Sequence, residues 1–118
     1  MLLSDFILVY VTIDSKLEAE RFARILLEER LVACVNVVGP VSSFFHWEGR
    51  VDFVEEYLMI MKTSVGLFGV LEERVRSLHS YSVPEVVAVP VVEGSKDYFG
   101  WLAGVLTREH VQLCTDKP

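Results

Sequence analysis

Apolar residues follow two different spacings along this chain, and the changes between them mark the predicted elements. Phe6 to Thr12 is almost continuously apolar and rich in β-branched residues, which predicts a strand covered on both faces and central in its sheet. Two long strand-forming runs, Leu31 to Trp47 and Arg50 to Thr63, flank the dipeptide Glu48-Gly49. A shorter run, Val86 to Val92, predicts a fourth strand.

Three segments instead have apolar residues at helical spacing. Ser15 and Glu18 have the spacing of a capping box before the first segment, and the second runs from Leu67 to His79. Ser95 is placed to cap the third. The resulting order, β-α-β-β-α-β with an extra C-terminal helix, predicts an α+β, ferredoxin-like sandwich with the first and third strands central.

The two middle strands are longer than the 5 to 6 residues or so of an ordinary strand. Gly39-Pro40 interrupts the first of them, which predicts a bulged or bent edge strand. Much of this hairpin must overhang its own sheet, and its apolar side chains would remain in water on a monomer. We therefore predict that copies of the chain assemble, with an interface built from Phe44, Phe45, Trp47, Val51 and Phe53.

Length and composition support one domain that assembles with itself. A chain of 118 residues is a single-domain length, and we take residues 1–118 as one domain with a loose tail at 107–118. The sequence is 52% hydrophobic and 24% charged, a ratio that favours a buried subunit interface. A formal net charge of -6 opposes binding to nucleic acid.

The number of cysteines and the length of the apolar runs indicate where in the cell the protein is expected. Cys34 and Cys114 are far apart in the sequence, so neither a disulfide framework nor a structural zinc site is expected. No apolar run approaches the roughly 20 residues of a membrane span, and the first ten residues lack the pattern of a signal peptide. We expect a cytoplasmic protein with no membrane partner.

Two groups of residues are candidates for binding chemistry. Glu56 and Lys62 alternate onto one face of the third strand, where they would form two walls of a cleft at a subunit boundary. The alternative is an ion pair, either between subunits or between elements of one chain. His79, Tyr81 and Glu85 surround the turn before the last strand, and they could bind a metal or a small anion. The alternative for His79 is a helix C-terminal residue that satisfies free carbonyl groups.

Other candidates are weaker. Cys34 is either a small apolar residue or a thiolate ligand suited to Cu(I). His46 and His110 have no neighbouring ligand pattern, so we assign them no role. The aromatic rings of Trp47, Tyr98 and Trp101 favour packing over nucleic-acid stacking. No set of residues matches a catalytic constellation, so an enzyme is not expected.

The sequence closely resembles the CutA family of divalent-cation tolerance proteins from about Phe6 to Leu106. Each matching block is weak alone, but their order and spacing together are specific. The blocks are Glu28-Glu29-Arg30-Leu31-Val32-Ala33-Cys34-Val35-Asn36, Trp47-Glu48-Gly49, Glu56, Lys62-Thr63, His79-x-Tyr81-x-x-Pro84-Glu85 and Tyr98-x-x-Trp101.

The resemblance implies a ferredoxin-like homotrimer linked to tolerance of copper and other divalent metals, and a likeness to trimeric PII signalling proteins. It implies ligand clefts near Glu56, Lys62, His79, Tyr81 and Glu85. Cu(II) or another divalent metal is the expected ligand, with His79 and Cys34 as metal candidates, and no organic cofactor is expected. The alternative is a PII-like module that binds a small organic anion and acts through a protein partner.

Overall fold

The computed structural model describes residues 4–106 of the chain. The predicted tail at 107–118, with His110 and Cys114, lies outside the described residues. The described part contains four strands, a short 3-10 turn and three helices. In chain order they are β1 (Phe6–Ile13), α1 (Lys16–Glu28), β2 (Cys34–Trp47), β3 (Arg50–Ser64), the 3-10 turn (Val65–Leu67), α2 (Phe68–Leu78), β4 (Val87–Pro90) and α3 (Lys96–Val105).

The strands form one antiparallel sheet in the order β2-β3-β1-β4. β1 and β3 occupy the centre, where the sequence predicts them, and β2 and β4 are the edges. The continuous apolar composition of β1 therefore agrees with its central position. The fold is α+β, with all three helices joined to a single four-stranded sheet.

The β2-β3 hairpin extends beyond the rest of the sheet. Its register shifts between Val38 and Val41, so Gly39-Pro40 forms the predicted bulge, and β2 is an edge strand. β1 reaches only as far as Tyr57 on β3. From Val41 to the tip, β2 and β3 therefore pair with each other alone, and a two-stranded ribbon of this kind has little stability by itself.

Both predicted serine caps are observed, but the predicted capping box is not complete. Ser15 Oγ accepts a 3.2 Å hydrogen bond from the Glu18 backbone N–H, and Ser95 Oγ accepts one of 3.2 Å from the Tyr98 N–H. The predicted capping box is incomplete, because the Glu18 carboxylate pairs with Arg21 at 2.9 Å. A nearby guanidinium attracts the carboxylate more strongly than the neutral Ser15 N–H does.

The sheet has one face covered by helices and one that is more open. Ile7, Val9, Val11 and Ile13 alternate onto the buried side of β1, against apolar residues of α1 and α2. The intervening residues of β1 are only half-buried, so the prediction that both faces of this strand are covered is correct for only one face of the single chain. No helix within residues 4–106 is long and apolar enough to cross a membrane.

Two strands, β2 and β4, differ from their predicted bounds by more than one residue. β2 begins at Cys34, not Leu31, because the Leu31 N–H bonds to the Leu26 carbonyl at the end of α1 and the Leu31 carbonyl accepts from Thr63 Oγ1 at 2.7 Å. Both of these hydrogen bonds lie outside the β2-β3 ladder, which Leu31 does not join. β4 is also shorter than the predicted 86–92 run, since it pairs with β1 only through four residues.

Candidate binding site

His79 ends α2, and its imidazole joins the following loop to the end of β1. Nδ1 lies 3.1 Å from the Tyr81 backbone N–H, and Nε2 lies 2.8 Å from the Thr12 carbonyl oxygen. Because Nδ1 accepts a hydrogen bond, Nε2 must carry the proton and donate to Thr12. The ring is buried and meets the edge of Phe22 at 5.6 Å. As the alternative for His79 predicted, the residue caps the end of α2, but through its backbone N–H, which bonds to the Val75 carbonyl at 2.9 Å. The ring instead bonds to a carbonyl of β1.

Tyr81 connects this loop to β3. Its hydroxyl donates a 2.8 Å hydrogen bond to Glu56 Oε2, and its ring packs 4.6 Å from the His79 ring. Glu56 is only 5% exposed, although its backbone lies at the base of the overhanging hairpin. Thr12, His79, Tyr81 and Glu56 thus form a continuous chain of hydrogen bonds from β1 to β3.

The environment of Tyr81 favours the neutral phenol. Burial raises the pKa of Tyr81 well above its ordinary value, and the hydrogen bond to Glu56 and the negative charges of Glu56 and Asp14 act in the same direction. A neutral phenol can donate to a carboxylate, whereas a phenolate would repel it. Tyr81 is therefore a hydrogen-bond donor across the neutral pH range.

A second group of polar residues surrounds Lys62. Lys62 faces Cys34 across the β2-β3 pair, with Nζ 3.8 Å from Cys34 Sγ. The same Nζ lies 5.8 Å from the centre of the Tyr98 ring, within the range of a cation–π contact. Cys34 Sγ also lies 4.0 Å from Asn36 Oδ1, and the cysteine is half-buried.

The structure brings some predicted site residues together and separates others. Glu56, His79 and Tyr81 form one group, and Cys34 and Lys62 form the other. Glu56 and Lys62 lie six positions apart on β3, which is about 20 Å at roughly 3.3 Å per residue.

Glu85 lies in the predicted loop but is exposed. Within residues 4–106, no three or more His, Cys, Asp or Glu side chains are grouped to hold a metal ion.

The predicted interface residues are exposed on the hairpin. Phe44, Val51 and Phe53 are 71%, 66% and 60% exposed, and Trp47 is 48% exposed. The Phe44 and Phe53 rings stack across the strands at 5.3 Å. Such a patch on a two-stranded ribbon is typical of an interaction surface.

Some residues around the two groups were not singled out from the sequence. Phe22 and the Thr12 carbonyl position His79 from distant parts of the chain. Asn36 could have been found, because it lies two residues from Cys34 and so on the same face of β2. Tyr98 was assigned to packing, and its ring also contacts the Lys62 ammonium group.

Comparison with known proteins identifies close relatives. The sequence profile of CutA1, described as "CutA1 divalent ion tolerance protein", matches residues 7–105. A "Divalent-cation tolerance protein CutA" from Thermus thermophilus is 45% identical over 94 residues, which are 80% of this chain and 91% of the relative. The corresponding protein of Archaeoglobus fulgidus is 42% identical with the same coverage.

Solved structures show the same relationship. The structure described as a divalent cation tolerance protein (Cut A1) from Thermus thermophilus aligns with a TM-score of 0.84 and 41% identity, and it covers 86% of this chain and 99% of its own. A structure from Archaeoglobus fulgidus, described as the periplasmic divalent cation tolerance protein CutA, also has a TM-score of 0.84, at 38% identity, with coverage of 86% and 99%.

Proposed function

Because the chain belongs to the CutA1 family of divalent ion tolerance proteins, we propose that it binds divalent metal ions, copper first, and serves in tolerance of or response to them. The active form is a homotrimer of ferredoxin-like subunits, with one ligand cleft at each subunit boundary. The protein is a binding protein and not an enzyme, and it works in the cytoplasm.

The position of the Cys34 thiol beside Asn36 and Lys62 is the observation that supports metal binding most directly. The thiol is half-buried, and the Asn36 amide oxygen is 4.0 Å away. Cysteine sulfur is a soft ligand of the kind that Cu(I) prefers, and the Lys62 ammonium nitrogen lies 3.8 Å from it. Cys34 is therefore the first candidate ligand, and its role should be greatest under reducing conditions.

His79 could bind a metal only if it gave up an existing hydrogen bond. Both of its ring nitrogens are engaged with backbone groups, so coordination to Cu(II) would require one of these hydrogen bonds to break. Nδ1 is the nitrogen that could become a ligand, because it carries the lone pair. Metal binding at His79 would then release the Tyr81 N–H and loosen the loop that holds Glu56.

Copper titration of single variants tests this proposal. Calorimetry should give about one Cu(II) per chain, as cyclic symmetry requires, with weaker binding as pH falls through the imidazole range near about 6.5. If His79 is a ligand, His79→Gln should weaken binding and flatten this pH dependence. Cys34→Ser should act mainly on Cu(I) binding under reducing conditions.

His46, which is exposed, and His110, which lies outside the described residues, supply the controls. Any surface histidine binds Cu(II) weakly and shows the same pH trend. If His46→Ala or His110→Ala abolishes binding while His79→Gln and Cys34→Ser leave it intact, the metal contact is incidental and the proposed sites are wrong.

The position of Lys62 favours a second candidate function. Its ammonium group contacts the Cys34 sulfur and the Tyr98 ring, which is an arrangement suited to a small organic anion. A PII-like module would bind such an anion between subunits and act through a protein partner. In a thermal-shift screen of metabolites, Lys62→Met should then abolish a response that the exposed Lys16→Met retains, whereas the metal proposal predicts no metabolite response.

A further inference from the structure

Glu56 is a buried carboxylate whose described partner is a neutral group. The residue is 5% exposed, and it accepts a hydrogen bond from the Tyr81 hydroxyl. The ion pairs formed within residues 4–106 join Glu18 to Arg21, Glu29 to Arg74 and Glu72 to Arg76, and none includes Glu56. Burial of a carboxylate is costly unless a cation or several donors compensate for the lost water.

Lys62 is a half-buried cation that has no carboxylate partner within the described residues. The ammonium group lies beside Cys34 Sγ at 3.8 Å and the Tyr98 ring at 5.8 Å. Neither neighbour is a carboxylate, and Lys62 takes no part in the ion pairs of the described chain. The two groups have complementary charge, but the roughly 20 Å of β3 between them prevents a contact within one chain.

Both residues lie at the ends of one apolar stripe. Leu58 and Ile60 occupy the positions between them on the same face of β3, and both are half-buried. The residues that alternate with them, Met59 and Met61, are fully buried in the helix-covered core. The stripe therefore belongs to the more open face of the sheet, with a negative group at one end and a positive group at the other.

We propose that Glu56 of one copy forms an ion pair with Lys62 of a second copy, so that the open sheet faces meet with the negative end of one stripe against the positive end of the next. This inference rests on the self-assembly proposed above. In a cyclic ring the same contact repeats at every boundary. The pair would compensate both charges and fix the register in which the apolar stripes pack.

Subunit exchange measures this contact. Unlabelled and ¹⁵N-labelled protein are mixed, and native mass spectrometry follows the appearance of mixed oligomers. Glu56→Gln retains the size of the side chain and an acceptor for Tyr81, and Lys62→Gln removes the positive charge. Each variant should exchange at least about tenfold faster than the unmodified protein, since one charge remains buried without its partner.

The double variant distinguishes a direct pair from two independent effects. Glu56→Gln with Lys62→Gln should exchange no faster than the single variants, because no unpaired charge is left. Loss of the Glu29–Arg74 pair, which joins two exposed groups within one chain, is the matched control. Glu29→Gln with Arg74→Gln should leave the exchange rate unchanged.

The outcomes separate this contact from the assembly itself. If the unmodified protein is a monomer, both the assembly and this inference are wrong. If it is an oligomer but the single variants exchange normally, or their effects multiply in the double variant, only the ion pair is refuted. If Glu56→Gln does not fold, the salt dependence of subunit exchange provides a second measurement. Salt should accelerate the exchange of the unmodified protein but not that of Lys62→Gln, because it screens the attraction between the two charges. Equal acceleration of both proteins would overturn the proposal.

Discussion

The Tyr81 hydroxyl donates a 2.8 Å hydrogen bond to Oε2 of the buried Glu56. Through this bond the loop after α2 is attached to β3, at the position where the β2-β3 hairpin leaves the rest of the sheet. Hydrogen bonds therefore link the loop to both the end of β1 and the base of the hairpin. A change at Tyr81 should therefore affect the fold as well as any ligand that binds nearby.

Removal of this hydroxyl should destabilise the protein. Tyr81→Phe leaves Glu56 with a buried acceptor that has lost its donor, which should lower the free energy of unfolding by about 1 to 3 kcal/mol. Denaturant unfolding at neutral pH measures the change. Tyr57→Phe is the matched control. Tyr57, on β3, is half-buried like Tyr81, but its hydroxyl forms no side-chain hydrogen bond within the described residues. Equal losses in the two variants would contradict the role of the Tyr81 bond.

Alkaline solution should weaken the fold through Tyr81. Its pKa is raised in the folded protein, while an unfolded tyrosine ionises near about pH 10. As pH rises through that value, the unfolded chain loses the proton first, so the stabilising contribution present at lower pH is progressively lost. Stability measured from pH 8 to 11 should fall less steeply in Tyr81→Phe. Parallel curves for the two proteins would show that this phenol is not perturbed.

Gly39 should be essential for the bulge. A β-carbon at this position would lie 2.7 Å from Tyr57 Cδ2 and 3.1 Å from the Glu56 carbonyl oxygen, so one of these groups must move. Gly39→Ala should cost about 1 to 3 kcal/mol of stability by overpacking. Gly69→Ala in α2 is the control, since its β-carbon meets nothing within 4 Å and alanine favours the helix. The explanation fails if Gly39→Ala is as stable as the unmodified protein.

The hairpin aromatics should contribute to assembly and not to the stability of the single chain. Trp47 is 48% exposed, so its removal leaves the core of one subunit intact. If it is a central interface residue, Trp47→Ala should weaken association by about 2 kcal/mol or more. Sedimentation over a dilution series measures this change. Leu17→Ala, at an exposed site on α1, should leave association unaltered, and equal effects of the two substitutions would exclude a specific role for Trp47.

The local features of the fold were predictable, but the contacts of the site depended on tertiary structure. Ser15 and Ser95 cap helices as their sequence context indicates, because capping involves residues only three positions apart. His79, by contrast, bonds to Thr12, which is 67 positions away. No periodicity in the sequence specifies that the loop after α2 returns to the end of β1.

The pairing of Cys34 with Lys62 shows how one local irregularity changes a site. An unbroken register from the Trp47–Arg50 pair would place Cys34 opposite Thr63. The extra residue at Gly39-Pro40 shifts the register and places it opposite Lys62. A shift of one residue reverses which side chains share a face. The bulge was predicted from Pro40, but its effect on this pair required the observed register.

Native mass spectrometry during a Cu(II) titration reports in one spectrum both the number of chains in the assembly and the number of ions bound to it. We expect a species of three times the chain mass of 13.4 kDa that takes up three copper ions, one for each equivalent cleft. The same titration of the His46→Ala and His110→Ala double variant controls for adventitious surface binding and should give the same count. A monomer that persists at all concentrations would contradict the proposed trimer, and a trimer whose copper uptake disappears in that control variant would contradict the proposed copper sites.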